Sequence, residues 1–300
     1  MLAQQLINGL TVGGVYALIA LGYTMVYGIL ELINFAHGEI YMLGAYLGII
    51  FLAFFTAIGL TSYSLPLALI LTFIFSVFFC SSYGLTIEKL AYKPLRKAPR
   101  LSPLISAIGV SIFLQNYVML TQGATDKVFP HLFESAGIEI KGAIITYMQF
   151  FIIAVSAVLM LLLQLFITRT RMGKAMRAVA QDRVMASLVG INVDTVISVT
   201  FIIGSGLAAV AGLMVAMYYG LVNYSIGYIA GIKAFTAAVL GGIGSIPGAM
   251  FGGIFLGLFE SLSSGYISSE YKDAYAFVIL IIILLIKPAG LFGKANEEKV

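Results

Sequence analysis

IITYMQFFIIAVSAVLMLLLQLFI, residues 144–167, carries no charge, no glycine and no proline. A stretch that apolar and longer than about 20 residues is long enough to cross a bilayer as one helix. Directly after it comes TRTRMGKAMRAVAQDRVMASLVGINVDT, residues 168–195, the longest polar stretch in the chain, with five basic side chains. The junction of a pure apolar run with a basic amphipathic segment sets the class of the molecule.

Working outward, the same texture recurs. Charge-poor apolar runs cover 6–30, 40–60, 63–87, 104–123, 196–219 and 274–286. A further apolar stretch, 229–264, is too long for one span and is interrupted by Gly241-Gly242-Ile243-Gly244-Ser245-Ile246-Pro247-Gly248. Glycine and proline at that density break a helix. The stretch therefore reads as two segments meeting at a turn, the first of them short. Composition agrees: 61% of the 300 residues are hydrophobic and only 10% charged, with mean hydropathy +1.04. Soluble domains carry roughly 25% charged residues. A soluble enzyme, a nucleic-acid-binding module and a disordered chain are excluded as whole-chain readings. The apolar runs are continuous rather than alternating, which argues against a transmembrane β-barrel. The expectation is an all-α polytopic membrane protein of about eight transmembrane helices, seven full spans plus a broken pair, forming a single transmembrane domain over 1–300. The first run, without a basic region or cleavage site, reads as a span and not a removable signal. Cys80 lies alone inside an apolar run and excludes an intramolecular disulfide.

Orientation follows from Lys and Arg, which collect on the cytoplasmic side. With the C-terminus and the Gly/Pro turn cytoplasmic, 88–100, 168–195 and the C-terminal tail place 13 basic residues inside. Lys127, Lys141, Lys233 and Lys272 place four outside. The N-terminus is then outside. Residues 13–28 and 204–220 share a Gly–Ala–Leu texture and would run in opposite directions, a hint of the inverted repeats found in transporters.

Three features invite functional readings. Small residues recur at spacing four (Gly9/Gly13, Gly44/Gly48, Gly244/Gly248/Gly252, Gly253/Gly257), which suits close helix packing. Gly241, Gly242, Gly244 and Pro247 could instead shape a broken helix lining a pathway, since irregular backbone at membrane depth survives only against protein or water. Polar and ionisable groups near or within spans are functional candidates: Glu31, Asn34, His37 and Glu39 cluster between the first two runs, and Glu260 lies deeper, with Ser261, Ser263 and Ser264 beside it. Because Glu31 and Glu39 fall at span boundaries, a short interfacial loop capping helix ends is favoured over a proton relay. His131 stands alone in a polar loop. No Walker A sequence occurs, because both Gly-Lys pairs are followed by Ala; any ATP must be bound elsewhere. Neither a metal-ligand spacing nor a catalytic triad is present in the sequence, so the chain is not expected to be an enzyme.

Residues 172–189 have good helix formers, and Met176, Ala180, Val184 and Leu188 repeat at i+4 to give one apolar face. Arg177, Asp182 and Arg183 supply charge, Ala186 lies between, and Gly190 ends the helix. Such a segment could lie on anionic lipid or dock a soluble motor.

Residues 178–192, AVAQDRVMASLVGIN, are similar to the coupling segment of ABC importer permeases. With Asn34–Glu39 (NFAHGE), Ser106–Asn116 (SAIGVSIFLQN), Leu240–Ala249 (LGGIGSIPGA) and Lys287–Gly293 (KPAGLFG), the chain resembles over nearly its full length the H-type permease of high-affinity branched-chain amino acid ABC importers. The resemblance implies a bacterial inner-membrane subunit that pairs with a second permease, two cytoplasmic ATP-binding subunits and a periplasmic binding protein, with no cofactor of its own. Leu, Ile and Val would be the cargo. Relatives of this class also import urea, amides and other amino acids. An ion-coupled secondary transporter, with Glu39 or Glu260 carrying the proton, is the reading from a different class.

Overall fold

The computed structural model describes residues 1–96, 98–99, 101–130, 137–140 and 142–293. His131, Lys141 and the charged C-terminal tail, used in the reading above, lie outside them. Twelve α-helices occur among the described residues: α1 (Leu2–Leu30), α2 (His37–Ala57), α3 (Leu60–Tyr63), α4 (Leu65–Ile87), α5 (Leu101–Gln122), α6 (Tyr147–Arg169), α7 (Arg171–Gln181), α8 (Arg183–Leu188), α9 (Val193–Tyr219), α10 (Ile226–Gly241), α11 (Ile246–Tyr266) and α12 (Lys272–Ile286). Seven of them, α1, α2, α4, α5, α6, α9 and α11, are long and apolar enough to cross a membrane. Helices α10 and α12, at 16 and 15 residues, are apolar but shorter. The polytopic all-α architecture is the one expected.

Helix α1 is the axis of the bundle, packed on α11, α9, α10 and α6. Its seam with α11 is made of glycine: a Cβ at Gly9 would meet the Leu258 Cα at 2.7 Å, and one at Gly13 would meet the Ile254 Cα at 2.9 Å. Gly44 abuts Ala209 of α9 in the same way. The four-residue small-side-chain spacing thus works as helix packing. The Gly–Ala–Leu stretches of α1 and α9 meet at Gly22 and Gly204. On the outside, α5 and α6 leave large apolar side chains such as Phe113, Leu120, Phe150 and Leu161 exposed, as a lipid-facing surface requires.

Short strands join the loops. β1 (Lys127–Val128) pairs antiparallel with β4 (Leu221–Val222), and β2 (Gly137–Ile140) with β3 (Ala143–Thr146). Thr146 then opens α6 through a capping box with Gln149. The stretch 88–95, read as loop from its charge, continues α4 through a π turn at 88–92 and a 3₁₀ turn at 93–95. Glu88 makes this possible. It is fully buried but paired with Arg96, and it accepts from Ser198 Oγ at 2.8 Å. Lys93 reaches Asp194 at 2.7 Å, tying this basic stretch to the start of α9.

Candidate functional site

The segment after α6 is a two-helix bracket, where the sequence pattern suggested one helix. Thr170 caps α7 by accepting from the Gly173 N–H at 3.0 Å. Asp182 is extended (φ −159°, ψ 114°) and breaks the run; its carboxylate accepts from Val184 N–H at 2.8 Å and Met185 N–H at 3.0 Å. Such a side-chain cap offsets the orphan donors of a new helix start. The i+4 face is therefore divided. Met176 of the expected face, together with Gly173 and Val179, is buried against the bundle, while Ala180 points outward. In α8, Ala186 is buried, whereas Val184, Met185 and Leu188, and Val189 directly after the helix, are 61–76% exposed. The exposed apolar surface is thus concentrated on α8, and Gly190 (φ +85°) ends it.

Two arginines fix the bracket. Arg177 donates to the Ile167 carbonyl at the end of α6. Arg183 Nε donates to the Ile29 carbonyl at the end of α1, at 2.8 Å. Partial burial lowers the Arg183 pKa, and the Glu31 carboxylate opposes that shift. Glu31 itself turns the chain at the end of α1 with φ 54°.

The Gly/Pro turn lies at the same end. Helix α10 stops at Gly241; Gly242 (φ +102°) and Gly244 (φ +90°) take angles that favour glycine. Ser245 then caps α11, accepting from Gly248 N–H at 3.2 Å, with Pro247 in the first turn. Gly28 of α1 faces Gly244. The Lys287–Gly293 stretch docks here too: Leu291 N–H donates to Leu240 O at 2.9 Å and Phe292 N–H to Gly241 O at 3.0 Å. Bracket, broken helix and C-terminal motif therefore gather at one end of the bundle.

Asn34, His37 and Glu39 do not form an interfacial loop. All three are at most 2% exposed. After α1 the chain folds back, so that His37 sits beside Gly22 and edge-on to Tyr23, with ring centroids 4.9 Å apart. Gly22 lies eight residues before Leu30, roughly 12 Å along the helix. Asn34 accepts from Tyr92 OH at 2.8 Å and from Ala36 N–H at 3.1 Å. Glu39 accepts from Ser111 Oγ at 3.1 Å. Desolvating these groups is costly unless they are hydrogen-bonded; α4's continuation and α5 satisfy Asn34 Oδ1 and Glu39 Oε1, whereas Asn34 Nδ2, His37 Nε2 and Glu39 Oε2 are buried without a hydrogen-bond partner among the described residues. Helix boundaries read from hydropathy could not reveal this return, because the segment from Leu32 to Gly38 is short and mostly apolar.

Glu260 belongs to another group, 1% exposed, and its partners are not the neighbouring serines. Tyr16 OH donates to it at 3.0 Å, Lys233 Nζ lies at 3.1 Å and Lys272 Nζ at 3.2 Å. Lys233 also meets Asp273 at 2.6 Å. Lys233, counted among the outside loops above, is instead buried in α10, which leaves three basic residues of the four assigned outside. Tyr16, Lys233, Lys272 and Asp273 were not singled out in the sequence; Lys233 in an otherwise apolar run was the available signal. Tyr16, Lys233, Lys272 and Asp273, though not Glu260, line a cavity of about 320 Å³ between α1, α2, α6, α9, α10 and α12.

A family model described as the branched-chain amino acid transport system permease component matches residues 5–284. The chain is 53% identical over 302 residues to the high-affinity branched-chain amino acid transport system permease protein LivH of Salmonella typhimurium, covering 99% of this chain and 97% of that protein. It is 52% identical over 301 residues to BraD, the corresponding permease protein of Pseudomonas aeruginosa, with the same coverage. Among solved structures, PsaBC from Streptococcus pneumoniae in complex with Fab aligns over 96% of this chain and 92% of that one, with TM-score 0.50 and 15% identity. That last likeness is one of fold.

Proposed function

The chain belongs to the branched-chain amino acid transport permease family, and on that basis we propose that it forms, with a second permease subunit, the membrane pathway for Leu, Ile and Val. A periplasmic binding protein delivers the cargo, and two cytoplasmic ATP-binding subunits supply the energy. The observation that carries this reading is the two-helix bracket. It offers an exposed apolar face on α8 and is tied by Arg177 and Arg183 to the ends of α6 and α1. An exposed apolar cluster of this kind marks an interaction surface. A motor that closes against α8 pushes on two spans at once.

In this reading the bracket, the Gly/Pro turn and the C-terminal motif face the cytoplasm and the N-terminus faces outward. The 168–195 segment acts as the coupling loop of one permease domain, with Asp182 and Gly190 setting its ends. Thiol labelling checks the orientation. In a Cys80→Ser background, Ser269→Cys reacts with an impermeant reagent from outside, and Ser187→Cys does not. Ala186, being buried, would be a poor reporter.

Cargo is tested by competition in vesicles reconstituted with all partner subunits. Unlabelled Val and Ile reduce uptake of labelled Leu, whereas urea and acetamide leave it unchanged. Competition by urea alone would move the chain to the amide-transporting branch.

A further inference from the structure

The cavity edged by Lys233 and Lys272 has a division of labour that its position alone does not explain. We infer that it is a binding site for a zwitterionic α-amino acid with an aliphatic side chain, a proposal that rests on the importer reading and names the cargo's resting place inside this subunit. The charged edge comprises Lys233, Lys272 and Asp273, and Glu260, paired with both lysines but not itself lining the cavity, completes a set of two ammonium groups and two carboxylates. Their formal charges cancel.

Within that set the members differ in freedom. The side chains of Lys233 and Glu260 are 6% and 1% exposed, and Tyr16 OH donates to Glu260 while accepting from Lys233 Nζ at 3.3 Å. That pair is a fixed base. Lys272 and Asp273 are 37% and 57% exposed and stand at the rim. A ligand carboxylate can take Lys272 and a ligand ammonium can take Asp273, and the Lys233–Glu260 pair stays intact beneath. A zwitterion adds no net charge to the site. A lone amine or a lone carboxylate engages only one member of the rim pair and adds a net charge to the site.

Much of the remaining wall is apolar: Val12 and Val15 of α1, Ile152 of α6, Val215 of α9, and Ile229 and Ala230 of α10, with hydroxyls from Thr11, Tyr41, Tyr218 and Tyr219 among them. The apolar wall suits an aliphatic side chain. The volume lies at the low end of small-ligand sites, roughly 300–1,000 Å³. The cavity lies among the first turns of α6, α10 and α12, the last turns of α9 and the stretch from Thr11 to Tyr16 of α1. That is the half of the bundle opposite the bracket, where cargo would enter. A transport site must bind weakly enough to release, and a rim pair that exchanges partners meets that need.

The test uses the full chain with its partner subunits in nanodiscs, in a Cys80→Ser background. Val12→Cys, and separately Ile229→Cys on the same apolar wall, are modified with a small methanethiosulfonate. L-Leucine at about ten times its apparent Kd is expected to slow modification about tenfold, and Ser187→Cys at the other end of the bundle is expected to be unaffected. Isopentylamine and 4-methylpentanoate, each lacking one charge of the zwitterion, give no protection at the same concentration. Lys272→Gln and Asp273→Asn each abolish the leucine effect. Absence of protection at both cysteines, or equal protection by either half-analogue, overturns the site. If ATP-driven leucine uptake by the wild type is intact in that case, the importer reading survives. Protection without any leucine uptake supports the site and overturns the importer reading instead.

Discussion

Arg183 Nε donates to the carbonyl oxygen of Ile29 at 2.8 Å, joining residues 154 positions apart in the chain. One end of this bond is the first residue of α8, the other the last turn of α1. Helix α1 in turn packs along α11, α9, α10 and α6, and α8 also packs on α7, which touches α1, so a displacement of α8 reaches the axis of the bundle directly through the Arg183 side chain as well as through α7.

Replacing Arg183 with Ala should therefore uncouple and not unfold. A hydrogen bond from a charged donor contributes about 1.5–3 kcal/mol, too little to dissolve a bundle of this size but enough to loosen the bracket. Cargo-stimulated ATP hydrolysis by the assembled transporter should fall several-fold, with normal amounts of the chain in the membrane. Arg183→Lys, which keeps the charge and loses the planar fork, should recover part of it. Full stimulation in Arg183→Ala would remove this bond from the coupling path.

At the Gly/Pro turn, Gly242 should tolerate substitution less than Gly244. Both have positive φ, but a Cβ at Gly242 also runs into the Gly293 backbone, where the C-terminal motif docks, whereas at Gly244 the nearest atom is the Gly28 Cα at 3.9 Å. Strain alone costs about 1–3 kcal/mol; the clash adds to it. Leucine uptake should be lost in Gly242→Ala and only reduced in Gly244→Ala, at equal membrane levels. Equal behaviour of the two would mean that the contact with residue 293 is unimportant.

The buried pair makes a stability prediction. Lys233→Met leaves Glu260 held by Tyr16 and by the half-exposed Lys272. Removing one partner of a buried ion pair costs about 3–5 kcal/mol, and the surviving partners should keep the loss toward the lower figure. The double variant Lys233→Met/Glu260→Gln should be more stable than Lys233→Met alone. Thermal unfolding of the detergent-solubilised chain measures this. A double variant less stable than the single one would show that Glu260 is not stabilised mainly by Lys233.

Much of the architecture was legible because hydropathy alone marks long apolar helices. The break at 241–248 was legible because glycine and proline announce it. The Asp182 break was less visible: Asp disfavours helix interiors and favours N-caps, but the good helix formers on both sides of it outweigh one such residue in a pattern reading, and the extended backbone shows the cap. The return that buries Asn34, His37 and Glu39, and the Lys233–Glu260–Asp273 group, depend on contacts between helices distant in the chain. Periodicity within one segment carries no information about those. Glu88 shows the same limit, since a carboxylate next to five basic residues reads as a solvated loop until Arg96 and Ser198 are seen to bury it.

ATP-driven uptake of labelled leucine in vesicles, measured for the wild type and for Val184→Glu/Leu188→Glu, tests the account most directly. Both side chains lie on the exposed face of α8, and anchors buried in an interface typically cost about 2 kcal/mol or more when disrupted. The wild type, with its partner subunits and binding protein present, should accumulate leucine only with ATP, and an imposed proton gradient should not replace it. The double variant should lose the ATP-binding subunits on purification and lose uptake with them. Accumulation driven by the proton gradient without ATP, or full uptake by the double variant, would contradict the account.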